Sequence, residues 1–155
     1  MTTTIIEMIQ LHVFRQTPDD GIEHLLIKRA VDEPVFPNVW QVITGYIEES
    51  EKAWEAALRE LKEETGLTAE HLWVIPHVGS FYNPQKDCIE LIPIFAAEVK
   101  NDAMVHLSHE HQEYRWLSKE EAIAMSVFAS HKQGISSFHE FIRKDMNGEH
   151  VSKLF

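Results

Sequence analysis

The sequence predicts an α/β sandwich built on a mixed β-sheet. Three observations carry that expectation. Two β-rich runs joined by a turn open the chain. Residues 52–64 repeat their apolar side chains with helical spacing. Further strand-like and helical runs follow, with no internal repeat, low-complexity segment or linker between them.

Taken in order, Ile5 to Phe14 reads as a strand, because Ile9, Leu11 and Val13 alternate with Gln10 and His12. Thr17-Pro18-Asp19-Asp20-Gly21 supplies a turn, and Ile22 to Arg29 the hairpin partner. Val31 to Asn38 contains Pro34 and Pro37 and is a loop. Trp40 to Thr44 is a short strand entering a glycine loop at Gly45. Lys52 to Glu64 is a helix whose stripe of Ala53, Ala57 and Leu61 is flanked by Trp54 and Leu58, and its alanines allow close approach to a sheet. Gly66 stops it. Leu72 to Phe81 and Ile89 to Val99 are strands joined by 82–87. Glu113 to Leu117 is a short strand, Ser118 caps a helix from Lys119 to Met125, and a last helix starts at Ser130 or His131 and runs to about Met146.

The 155 residues suffice for one domain, residues 1–155, with a substantial core. A hydrophobic content of 44% and a charged content of 25% suit a soluble globular chain. The formal net charge of -11 argues against a nucleic-acid polymer as partner, which calls for a basic footprint. A small phosphorylated substrate is compatible with it, because a bound metal reverses the local field. Cys88 is the only cysteine, which excludes an intrachain disulfide and fits a cytoplasmic location. The N-terminus lacks a signal-peptide pattern, and the most apolar stretch, Cys88 to Val99, is too short for a membrane span. A homodimer is allowed by these features and not demanded by them.

The most informative segment is GYIEESEKAWEAALRELKEETGL, residues 45–67. On a helix, positions three and four apart are neighbours, so Glu60, Glu63 and Glu64 share one patch. Such crowding of carboxylates calls for a positive partner, and Mg2+ prefers oxygen ligands and commonly holds phosphate-containing substrates. An ordinary solvated acidic face is the competing explanation for the acids alone.

The spacing of the whole segment resembles the Nudix box, Gly-x5-Glu-x7-Arg-Glu-U-x-Glu-Glu-x-Gly-U, with U a bulky aliphatic residue. Gly45, Glu51, Arg59, Glu60, Leu61, Glu63, Glu64, Gly66 and Leu67 fill every defined position. The resemblance implies an α/β/α sandwich with helices on both sides of a mixed sheet. It implies Glu60 and Glu64 as ligands of Mg2+, with Mn2+ as an alternative, and Glu51, Arg59 and Glu63 as catalytic or organising groups. Glu110, before the Glu113 to Leu117 strand, matches a loop glutamate that serves in many such enzymes as a further metal ligand or as the base.

Trp40-Gln41-Val42-Ile43-Thr44-Gly45, Glu110-His111 and Tyr114-Arg115-Trp116-Leu117 are also similar to the dihydroneopterin triphosphate and dATP pyrophosphohydrolase branch of the family. That similarity implies Arg29 and Thr44 as substrate contacts and Glu110 as a metal ligand; Gly45, in the glycine loop, is the third expected substrate-binding residue. Tyr82, Asn83 and Gln85 lie in a loop that could meet a base, with packing or plain surface exposure as the competing reading. His106, His109 and His111 match no closed zinc site and read as a polar loop. The expected reaction is metal-dependent hydrolysis of a pyrophosphate bond in a nucleoside or pterin triphosphate, releasing pyrophosphate. The alternatives are dinucleoside polyphosphates or ADP-ribose as substrate, or a nucleotide sensor that has lost catalysis.

Overall fold

The computed structural model describes residues 1–146 and 152–155. The expected span of 1–155 for one domain therefore includes residues 147–151, which lie outside the described residues. In chain order the elements are β1 (Thr3–Ile5), β2 (Met8–Gln16), β3 (Ile22–Arg29), β4 (Trp40–Gln41), β5 (Ile43–Tyr46), α1 (Ala53–Thr65), β6 (His71–Asn83), β7 (Cys88–Glu98), β8 (His111–Leu117), α2 (Lys119–Met125) and α3 (Ala129–Ser137). A π-helical turn, Phe138–Ile142, and a short 3-10 turn, Arg143–Asp145, continue from α3.

The strands form one eight-stranded mixed sheet. β7 pairs in parallel with β1 and β2 and antiparallel with β6. β2 pairs antiparallel with β5 at one end and with β3 at the other, and β3 carries β4 and β8. The C-terminal residues cover part of the β6 edge: Leu154 N–H donates to Leu72 O, and Leu72 N–H donates to Phe155 O.

Side-chain alternation along β2 explains the layers. Ile9, Leu11 and Val13 meet α1, where Ala56, Ala57 and Leu61 are buried against Leu25, Ile27, Phe95 and Ala97. Phe14, on the other face, joins Trp73, Ile94 and Ala96 against Phe138 and Ile142. Leu26, Val42 and Leu117 meet Ala122 of α2 and Ile135 of α3 on that same face. Helices thus lie on both sides of the sheet, as the fold class required. Among the described residues no helix is long and apolar enough to cross a membrane.

Several boundaries differ from the sequence reading. The first strand is broken at Ile6 and Glu7, and Glu7 O accepts the N–H of Ile47 from the box loop. Trp40 to Thr44 is two strands, because Trp40–Gln41 pairs with β3 whereas Ile43–Tyr46 turns to β2, which makes Gly45 a strand residue. The β6–β7 hairpin extends to Asn83 and Cys88, leaving only 84–87 as the turn. β8 begins two residues before Glu113. The last helix starts at Ala129 and widens at Phe138, where the N–H of Arg143 reaches Phe138 O across a π turn.

Candidate active site

Helix α1 delivers the acids. Its N-cap Lys52 has extended backbone and no side-chain cap of the usual Ser or Thr kind; instead the Glu55 carboxylate accepts the Lys52 N–H at 2.8 Å. Gly66 closes the helix at φ 71 and donates its N–H to Lys62 O. Between these ends Glu60, Glu63 and Glu64 share one flank.

Arg59 organises the acidic surface. Its Nε and Nη2 donate to the two oxygens of Glu51 at 2.7 and 3.0 Å, and Nη1 donates to Glu60 and Glu63 at 2.9 and 3.2 Å. Nη2 also donates to Tyr46 O at 2.8 Å, tying the helix to the end of β5. These bonds hold the guanidinium pKa above its ordinary value, against the opposing effect of burial. Glu51 caps the loop through the Glu48 N–H at 2.9 Å, and Arg59 hydrogen bonding holds its pKa below the ordinary value. Gly45 leaves room for Glu60: a Cβ there would lie 2.2 Å from Glu60 Cδ.

Glu64 sits deeper. Its Oε2 accepts from Ser108 Oγ at 2.7 Å and lies 2.7 Å from His111 Nδ1. Burial favours its neutral form, yet the His111 and Ser108 contacts together prevail and lower its pKa. Glu60 moves the other way. Half-burial raises its pKa, Arg59 opposes the rise, and the Glu63 and Glu64 charges add to it. Glu110 is also raised, first by burial and then by the charges of Glu64 and Glu33. The loop therefore brings Glu110 beside Glu64.

The structure separates the other expected residues. Arg29 stands at the rim, where Nε donates to Val35 O at 2.8 Å and Nη2 to Glu33 at 3.1 Å, holding the 31–38 loop. The N–H of the next residue, Ala30, donates to Glu110 O. Thr44 is the cross-strand partner of Gln10, whose side chain donates to Ser130 O of α3. It therefore faces away from α1 and does not join the carboxylates. Tyr82 donates to Asp87, and Asn83 accepts the N–H groups of Gln85 and Lys86, so the expected base-facing loop is a self-bonded turn. The polar-loop reading of the histidines fits His106 and His109 but not His111, which is buried against Glu64.

Among the described residues no three acids, histidines or cysteines converge on one point as a ready metal site. Glu60 is turned to Arg59 and Glu64 to Ser108 and His111. The donor chemistry nonetheless suits a hard dication. Glu64 lies within electrostatic reach of Glu60 on one side and of Glu110 on the other, and burial with like charge raises the pKa of Glu60 and of Glu110.

Comparison with known proteins identifies the family and the fold. A family model described as NUDIX domain matches residues 11–138. An asymmetrical bis(5'-nucleosyl)-tetraphosphatase of Caenorhabditis elegans is 32% identical over 123 residues, 78% of this chain and 86% of that protein. A C. elegans Ap4A hydrolase binary complex superposes with a TM-score of 0.70 at 28% identity, covering 90% of this chain and 97% of the other. The E. coli dihydroneopterin triphosphate pyrophosphohydrolase superposes with a TM-score of 0.69 at 24% identity over 89% of this chain and 97% of that one, a likeness of fold. Every box residue is present, and the matched model spans most of the sheet together with α1, so this chain belongs to the Nudix family and is a pyrophosphohydrolase acting on acid anhydrides.

Proposed function

We propose that the protein hydrolyses dinucleoside polyphosphates, splitting a four-phosphate bridge unequally into a nucleoside monophosphate and a nucleoside triphosphate. One observation carries the choice of substrate: the similarity to asymmetrical bis(5'-nucleosyl)-tetraphosphatases covers 78% of the chain at 32% identity. This favours the alternative over the triphosphate reading, for which the dihydroneopterin triphosphate enzyme supplies a likeness of fold.

Glu60, Glu64 and Glu110 are the residues that would hold Mg2+ or Mn2+. When bound, the metal neutralises phosphate charge and makes a water acidic enough to serve as nucleophile near neutral pH. Arg59 keeps the helix acids in place through its fork of bonds to Glu51, Glu60 and Glu63. Glu63, or Glu110 where it is not engaged by the metal, takes the proton from the attacking water. Arg29 exchanges Glu33 for a phosphate oxygen, and Gly45 keeps the space that Glu60 occupies.

A substrate panel tests the assignment. Diadenosine tetraphosphate, dATP, dihydroneopterin triphosphate and ADP-ribose are compared at equal concentration with Mg2+, and the products are separated by ion exchange. The dinucleotide should give the highest kcat/KM, with AMP and ATP in equal amounts. Pyrophosphate released from a triphosphate at higher kcat/KM would return the assignment to the triphosphate branch.

A further inference from the structure

His111 is a buried imidazole wedged between two other buried polar residues. Its Nδ1 lies 2.7 Å from Glu64 Oε2 in a short, bent contact, and its Nε2 lies 3.2 Å from Gln41 Nε2. An amide nitrogen facing Nε2 makes that atom the acceptor and leaves the ring hydrogen on Nδ1, the nitrogen beside Glu64, where the contact is charge–dipole in character because the N–H is not aligned for a hydrogen bond. Ser108 Oγ donates to the same Oε2, and the Ser108 N–H donates to Glu64 O at 3.1 Å, so the loop is pinned to the end of α1. Both contacts fall on one carboxylate oxygen and neither claims the other.

A break in strand register turns His111 inward. β8 pairs with β3 in step from His24↔Leu117 to Lys28↔Glu113, and then Arg29 pairs with His111. Gln112 is the extra residue of this bulge, and its side chain donates outward to Arg29 O and to Asn38 Oδ1. Without the bulge, His111 would share a face with Glu113 and Arg115, away from α1. Burying Gln41, His111 and Glu64 together costs desolvation that a plain core would avoid.

We propose that His111, backed by Gln41 and assisted by Ser108, is a positioning residue that fixes the Glu64 carboxylate for metal binding. This rests on the reading of Glu64 as a metal ligand. Groups that hold a ligating carboxylate from behind set its orientation, and their loss weakens metal binding about 10–100-fold.

The test measures Mn2+ affinity of the free protein by electron paramagnetic resonance, with kcat and KM alongside, for His111→Ala, His111→Asn, Ser108→Ala and Glu64→Gln. The Asn amide nitrogen occupies nearly the place of Nδ1. His111→Ala should weaken Mn2+ binding about 10–100-fold and lower kcat with little change in KM. His111→Asn should recover most of both. Unchanged Mn2+ affinity in a folded His111→Ala overturns the proposal, as does a folded His111→Asn that recovers nothing. Should His111→Ala not fold, Ser108→Ala carries the same expectation, and normal Mn2+ affinity there overturns it. If Glu64→Gln also binds Mn2+ normally, the ligand reading falls together with the proposal; if Glu64→Gln loses Mn2+ and His111→Ala does not, only the positioning role falls.

Discussion

The two faces of the sheet handle buried polar groups in opposite ways. On the α1 face, Glu64 interacts with Glu60 and with Glu110, and all three are partly desolvated. On the α3 face, His12, His24 and His131 are buried and His139 packs beside them, its Nε2 2.8 Å from that of His24. Burial lowers the pKa of His24 to about 3, aided by His139, and burial lowers those of His131 and His139 to about 4. His12 is also held well below its ordinary value, by burial and by His131 and His24. Beneath α3 the histidines lose their charge and pack as neutral rings. The α1 face keeps acids side by side, with Arg59 as the counter-charge of Glu60 and Glu63 and with His111 and Ser108 against Glu64. Retained charge that burial and repulsion oppose is what a binding site requires and what a core avoids.

Each face has a glycine that makes room for its polar group, and these glycines sharpen the contrast. The largest effect should come from the acids: Glu64→Gln is expected to lower kcat at least about 100-fold with little change in melting temperature. Steady-state kinetics beside a thermal melt checks this, and an active variant would remove Glu64 from the site. Next, Gly45→Ala drives a methyl into the Glu60 carboxylate, and should lower activity far more than stability. Gly134→Ala places a Cβ 2.1 Å from His12 Nε2 and should do the reverse, costing about 1–3 kcal/mol in urea unfolding while kcat of the folded fraction persists. Equal damage to both properties in both variants would erase the distinction between the faces.

Arg59→Lys ranks below these. Lysine keeps the charge but cannot span both Glu51 oxygens and Tyr46 O, so kcat/KM should fall about tenfold, equivalent to about 1.4 kcal/mol. Full activity would refute an orienting role. The smallest effect is in pH dependence. His24, His131 and His139 have folded pKa values of about 3 to 4, below the unfolded value of about 6.5. The unfolded chain therefore binds more protons across that window. Their contribution is fully present above about pH 6.5 and is lost as pH falls toward 4. Melting temperature should drop over this range, and His131→Gln should flatten the slope; an unaltered slope would show that His131 is not buried neutral.

The most legible part of the molecule was the part specified over short distances in sequence. Ala57, Leu61 and the box acids follow from a 3.6-residue period, and α1 lies within one residue of its expected limits at each end. Ser118 caps α2 as its sequence position suggests, its Oγ accepting the Glu121 N–H at 3.2 Å. The fold class followed from the order of such local elements. The histidine layer was not legible, because His12, His24, His131 and His139 are scattered along the chain and come together only when α3 and its π turn close over β2 and β3. Thr44 illustrates the same limit. Its neighbour Gly45 lies against Glu60, but strand alternation sends Thr44 to the other face.

The sequence by itself determined the box helix, its acidic flank, Arg59 within reach of both Glu51 and Glu63, and the class of fold able to carry them. Helical spacing and glycine conformation are local properties, fixed by neighbours within a few turns. Only the tertiary structure decided that Arg29 clasps Glu33 at the rim, that Glu110 meets Glu64, and that His111 turns toward the acids while Gln112 turns out. Those outcomes depend on which residues of β3 and β8 pair. A one-residue bulge exchanges the inward and outward side chains beyond it, and the register is set by partners distant in the sequence.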